Sequence, residues 1–126
     1  MTMARLFLSL GALLAGLAVV TGAFAAHGLR GRVEERLLDV FQTGAQYHFY
    51  HALGLCLVGL AAGQFGANRL LGVSGWLMIV GIVLFSGSLY LLAITGVRWL
   101  GAITPLGGTA FIGAWFCLAV VAWRAL

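Results

Sequence analysis

From its fourth residue the chain alternates between long apolar stretches and short intervals that hold nearly all of its charge. Residues 4–26, 44–65, 70–94 and 103–123 contain no charged side chain except Arg5, at the head of the first stretch. As an α-helix rising about 1.5 Å per residue, each is long enough to cross the roughly 30 Å hydrocarbon core of a bilayer. The interval from His27 to Thr43 is different. There Arg30, Arg32, Glu34, Glu35, Arg36, Asp39 and Gln42 alternate with Val33, Leu37, Leu38, Val40 and Phe41. Apolar positions 33, 37, 40 and 41 follow helical spacing, which predicts a short amphipathic helix over 29–42, lying at the headgroup level with its stripe against acyl chains. Its charges fall in like-sign rows, Arg32 with Arg36 and Glu35 with Asp39, so support is expected across the rows, from Arg32 to Glu35. The interval from Gly63 to Arg69 is short enough to demand an antiparallel hairpin. Thr104 followed by Pro105 is a good helix start, because proline is tolerated in the first turn and threonine is an accepted cap. The pattern predicts an all-α, integral membrane four-helix bundle, one transmembrane domain over 1–126, with an interfacial helix between the first and second spans.

Composition excludes the soluble alternative. The chain is 63% apolar and 8% charged, and a domain of 13.3 kDa cannot hide that much apolar surface from water. Four spans also leave no room for a separate catalytic module. The net charge of +4 comes from seven basic residues, all arginine, against three acids. Because the arginines are spread over every interval, they form no continuous basic face, and nucleic acid is not an expected partner. Guanidinium groups at helix ends suit lipid phosphate, so membrane lipids are the expected contacts. Two readings compete for the first stretch. Ala23-Phe24-Ala25 before Ala26 fits the small-x-small pattern of a cleaved signal peptide, whereas the length of the run fits an uncleaved span, the reading adopted here. With four spans, Arg5, Arg69 and Arg124 share one side and Arg30, Arg32, Arg36 and Arg98 the other. The first helix usually dominates orientation, which puts both termini in the cytoplasm. A faint echo at an offset of 61 pairs Thr43 with Thr104 and Cys56 with Cys117, too weak to establish a duplication.

Polar groups within spans are costly and tend to mark function or helix contacts. His27, Gln46, His48 and His51 lie where the first run exits and the second enters, and Ser86, Ser88, Tyr90 and Thr104 reach the same side from the third and fourth. Four-span topology should gather them in one layer. His48 and His51 could ligate a metal or haem or relay protons, but no third imidazole stands at fixed spacing and no carboxylate lies in a span. Their competing role is as ordinary interface anchors hydrogen-bonded across helices. Cys56 and Cys117 sit in apolar runs and read as small hydrophobes. Gly87, Gly107 and Gly108 would let the third and fourth helices approach closely. Proton-coupled export lacks an intramembrane acid, and hydrolysis lacks a nucleophile with a partnered base.

Four ordered motifs add to this picture: residues 22–28 (Gly-Ala-Phe-Ala-Ala-His-Gly), Phe41-Gln42-Thr43-Gly44 leading to Tyr50-His51-Ala52-Leu53, residues 84–90 (Leu-Phe-Ser-Gly-Ser-Leu-Tyr), and residues 104–108 (Thr-Pro-Leu-Gly-Gly). Together they resemble the YgdD-like family of small bacterial inner-membrane proteins, related to the transmembrane protein 256 family. The resemblance spans nearly the whole chain. It implies a multi-pass protein of the bacterial inner membrane and points to His27, His51, Ser86, Ser88, Tyr90, Thr104 and the Gly107-Gly108 pair, with His48 fitting the pattern less well. The expectation is a non-enzymatic module without metal or cofactor. It would bind a lipid, a small ligand, another membrane protein or a second copy of itself through the polar layer. A metal-, haem- or redox-linked protein using the same histidines is the alternative, and a small transporter or channel the third.

Overall fold

Helix starts are set by local chemistry. The Thr2 hydroxyl accepts the Arg5 N–H at 3.1 Å, and the Asn68 Oδ1 accepts the Leu71 N–H at 2.9 Å, so each satisfies an end group that a helix leaves unpaired. The computed structural model describes residues 1–126, and every regular element in it is helical. The first rod, α1, is Met3–Leu29, its last turn widened into a π-helix over Ala25–Leu29. The second, α2, is Glu35–Phe65. The third, α3, is Arg69–Thr95 with a π-helical stretch at Ile82–Ser86. It stops at Gly96, whose φ of 72° is a left-handed conformation that a Cβ would disfavour. A 3₁₀ turn, Arg98–Ala102, leads into α4, Thr104–Ala125, with Pro105 in its first turn.

Three segments are long and apolar enough to cross a membrane: Met3–Leu29, Arg69–Thr95 and Arg98–Ala125, with mean hydropathies of 2.1, 2.4 and 1.8. Their outer faces are bare hydrocarbon. Leu13, Val83, Ile112 and Phe116 are 71%, 64%, 73% and 69% exposed, a surface suited to lipid and not to water.

α1 packs most extensively on α2, and α3 on α4. Small residues permit the approach. A Cβ at Gly59 would meet the Leu8 backbone, one at Gly11 the Cys56 backbone, and at the far end Phe24 rests on Phe41 at 5.8 Å. As positions 8, 11 and 24 ascend α1, their partners 59, 56 and 41 descend α2, so the two helices run antiparallel along their length. The core is layered. Phe7, Leu55, Leu71, Met78 and Ala114 fill the end near both termini, Ala52, Ile82 and Phe111 the middle, and Ala25, Leu29, Leu38, Phe41 and Ala93 the other end.

The segment expected to lie apart as an interfacial helix over 29–42 does not. Residues 30–34 form the connection, turning at Gly31 with φ 83°, and Glu35 opens α2 without a break at the expected boundary of 44. No glycine or proline between 35 and 43 stops the helix. Its apolar stripe is also claimed by protein: Leu38 and Phe41 are 4% and 3% exposed against Ala25, Leu29 and Ala93, with Val33, Leu37 and Val40 around them. The expected Arg32 to Glu35 pair is replaced by an exposed Arg36–Glu34 contact of 3.5 Å, because Arg32 lies outside the helix and shares no register with Glu35.

Candidate functional site

Between the middle core and the far end, side chains from three helices form one hydrogen-bonded chain. Thr21 Oγ1 donates to the Ala18 carbonyl at 3.0 Å and lies 3.0 Å from the Tyr90 hydroxyl, which in turn lies 2.8 Å from His48 Nδ1. One proton ordering serves all three contacts. With the Thr21 hydrogen committed to Ala18, Tyr90 donates to Thr21, and His48 Nδ1–H donates to Tyr90. The other ring nitrogen of His48, Nε2, is left over. That nitrogen is the buried side-chain polar atom without a partner, in a residue 2% exposed.

The π-helical stretch of α3 sets the neighbouring contacts. One extra residue in the turn lets Ser86, fully buried, donate to the Gly44 carbonyl of α2 at 2.7 Å. Ser88 donates to Phe85 at 2.9 Å, so the Thr104 hydroxyl donates to Ser88 at 2.6 Å and ties the start of α4 to α3. His51 sits deeper. Its Nδ1 donates to the Tyr47 carbonyl at 2.7 Å, and its ring stacks on Phe111 with centroids 3.4 Å apart and planes 9° from parallel.

Of the residues singled out from sequence, Ser86, Ser88, Tyr90, Thr104 and His51 are therefore bound to other parts of the bundle. His27 does not join them. Ala25 and Leu29, four apart, turn inward, so His27 between them is exposed, about one turn beyond the contact of Phe24 with Phe41. Ten residues separate Phe41 from His51 on α2, about 15 Å along the axis, so the two histidines do not share a layer. His48, which motif matching ranked low, is the histidine inside the network. Of the three glycines, Gly107 makes the close approach: a Cβ there would run into the Phe85 backbone. At Gly108 it would meet only Phe85 Cδ2 at 3.9 Å, and at Gly87 nothing within 4 Å. No group of three His, Cys, Asp or Glu side chains converges to hold a metal ion.

Beside the network, a groove of about 380 Å³ opens sideways between α1 and α2. Ala18 and Gly22 form one wall, and Gln42, Gln46 and Tyr50 the other. Spaced by four, the three polar residues make one stripe on α2, with Gln46 and Tyr50 exposed and Gln42 half-buried. Their amides and hydroxyl make no hydrogen bond within the chain. The i, i+4, i+8 spacing was readable from sequence; what it lacked was the glycine and alanine wall of α1 that turns a stripe into a groove.

Residues 21–108 match the family model described as protein of unknown function (DUF423). The chain is 52% identical over 118 residues to the UPF0382 membrane protein YwdK of Bacillus subtilis, covering 94% of this chain and 96% of that one. It is 46% identical over 116 residues to the UPF0382 membrane protein SH2409 of Staphylococcus haemolyticus, covering 92% and 93%. No solved structure matches the chain.

Proposed function

The chain belongs to the DUF423 family, UPF0382 membrane proteins of unknown function, and from that footing we propose that it is a non-enzymatic binding module with four spans. The motif resemblance to YgdD-like proteins is read as kinship within the same family. α2 supplies the fourth span. Its 31 residues cover about 46 Å, so its charged first turns can stand at the headgroups while the rest runs beside α1 through the core. Both termini lie on the cytoplasmic face of a bacterial inner membrane. The occupant is a small amphipathic molecule, with an apolar body against Ala18 and Gly22 and a polar group meeting Gln42, Gln46 and Tyr50.

The observation that carries this reading is the unpaired polar stripe in a lateral groove that runs from the headgroup level at Gln42 into the span at Gln46 and Tyr50. Amides facing hydrocarbon are costly, and a ligand that hydrogen-bonds them removes that cost. The half-buried Thr21 and Tyr90 and the buried His48 form a chain that holds α1 and α3 against α2, and so fixes the groove's walls.

The test is mass spectrometry of whatever stays bound to the protein in mild detergent. A stoichiometric amphipathic molecule is expected in the unaltered chain and at least tenfold less of it in a Gln42→Leu, Gln46→Leu variant of unchanged melting temperature. Equal retention by both, or none by either, would overturn the proposal. Recovery of a stoichiometric membrane protein instead would assign the groove to a protein partner and reject the small ligand.

A further inference from the structure

At the opposite end of the molecule, near both termini, the surface has another character. A groove of about 690 Å³ follows α3 from Asn68 and Arg69 past Gly72, Val73 and Trp76 to Val80, with Met3 of α1 along one edge. Positions 69, 72, 73, 76 and 80 form a single stripe. From Arg69 to Val80 it descends about 17 Å, close to the roughly 15 Å depth of one bilayer leaflet. Below Arg69 its lining is apolar, and Val73, Trp76 and Val80 are exposed.

A second cavity of about 400 Å³ shares Asn68 and Arg69 with the head of this groove and adds Arg124 from the end of α4. Neither guanidinium has a carboxylate partner; the one ion pair of the chain joins Arg36 to Glu34. All three acidic side chains, Glu34, Glu35 and Asp39, belong to the far end of α2, so no acidic side chain at this end pairs with Arg69 or Arg124. Asn68 adds a donor. Its Oδ1 is occupied by the Leu71 N–H, which leaves its amide NH₂ free at the positive end of a long helix. Two unpaired guanidiniums and an amide at headgroup depth, above an apolar channel one leaflet deep, are complementary to a single kind of molecule.

We propose that this surface is a binding site for an anionic phospholipid, with the phosphate between Arg69 and Arg124 and one acyl chain along α3 over Gly72, Val73 and Trp76. Paired arginines bind phosphate through forked donors, and basic pockets between spans are suited to anionic headgroups. Gly72 keeps the floor open: a Cβ there would come within 3.3 Å of Met3 Cε and narrow the groove. This site is independent of the groove between α1 and α2, and either can fail without the other.

Trp76 reports on it directly. A chain retaining Trp76 alone, with Trp99, Trp115 and Trp123 replaced by Phe, is placed in phosphatidylcholine vesicles containing brominated phosphatidylglycerol or brominated phosphatidylcholine. Brominated phosphatidylglycerol should half-quench Trp76 at about tenfold lower mole fraction. Arg69→Gln with Arg124→Gln should bring the two lipids level. Equal quenching before the arginines are changed, or a preference that survives their removal, would overturn the site. Because Trp115 packs near His51, native mass spectrometry of the unaltered chain in a mixture of the two lipids provides a second reading. One retained phosphatidylglycerol per chain, lost in the double arginine variant, is expected; no preference between the lipids counts against the proposal.

Discussion

Tyr90 holds two bonds with one hydroxyl. Removing it leaves Thr21 without its donor and His48 Nδ1–H without its acceptor, both at span depth. Tyr90→Phe should therefore cost about 1–2 kcal/mol, above the roughly 0.6 kcal/mol typical of an interhelical hydrogen bond in a membrane. Ser86→Ala, which breaks one buried bond to the Gly44 carbonyl, should cost about 1 kcal/mol. His27→Ala should stay within about 0.5 kcal/mol, since its side chain is exposed and makes no hydrogen bond. Reversible unfolding in mixed detergent ranks the three, and a Tyr90 variant as stable as the His27 variant would dissolve the network argument. Sequence was informative at this scale where polarity alone decides. Ser86, Ser88, Tyr90 and Thr104 stand out because a hydroxyl in an apolar run must find a partner. The partners themselves were hidden, being 42 residues from Ser86 and 69 from Tyr90 in the case of Thr21. His48 went underrated for the same reason: what distinguishes it from His27 is the helix face it occupies once α1 and α3 are in place.

Three of the four apolar runs became helices with ends within three residues of those expected, because hydropathy and caps act locally. The error fell at 29–42, where charge density suggested a separate piece. Charges on one face do not break a helix; only a missing N–H or a preferred turn does. That difference is testable at Thr43, which is exposed at the expected joint. Proline there would be tolerated at a boundary between two helices, but within continuous α2 it removes a backbone bond and should cost about 3 kcal/mol or more. An unchanged melting temperature for Thr43→Pro would restore the jointed picture. The π-helical stretches were not legible either, since one added residue per turn leaves no compositional trace. Helix contacts were half legible. Gly107→Ala must displace the Phe85 backbone and should cost about 1–3 kcal/mol, whereas Gly16→Ala, with nothing within 4 Å of its Cβ, should be neutral or slightly stabilising. Circular dichroism melts of the two variants separate a packing glycine from an idle one, a distinction that a small-residue pattern cannot make.

At the scale of the whole molecule, the parity of the crossings decides on which sides the termini lie. Three segments qualify as spans by length and apolarity, and α2 does not, because its early turns are polar. If only those three crossed, the termini would lie on opposite sides of the membrane. Yet α2 runs beside α1 from Phe41 against Phe24 to Gly59 against Leu8, and ends at the level where α1 begins. The proposed fourth span rests on this pairing: a helix that accompanies a spanning neighbour over its length is expected to cross with it, which would make the number of crossings even. Orientation then follows from the arginines. Arg5, Arg69 and Arg124 occupy the end with the termini, free of acids, while Arg30, Arg32, Arg36 and Arg98 share the other end with Glu34, Glu35 and Asp39. Counted alone, the arginines favour neither end decisively, and the proposed orientation, with both termini inside, rests on the usual dominance of the first helix. Green fluorescent protein fused to either terminus should fluoresce, and alkaline phosphatase inserted at Gly31 should be active. Activity of alkaline phosphatase at one terminus and fluorescence at the other would take α2 out of the membrane and, with it, the groove it forms with α1.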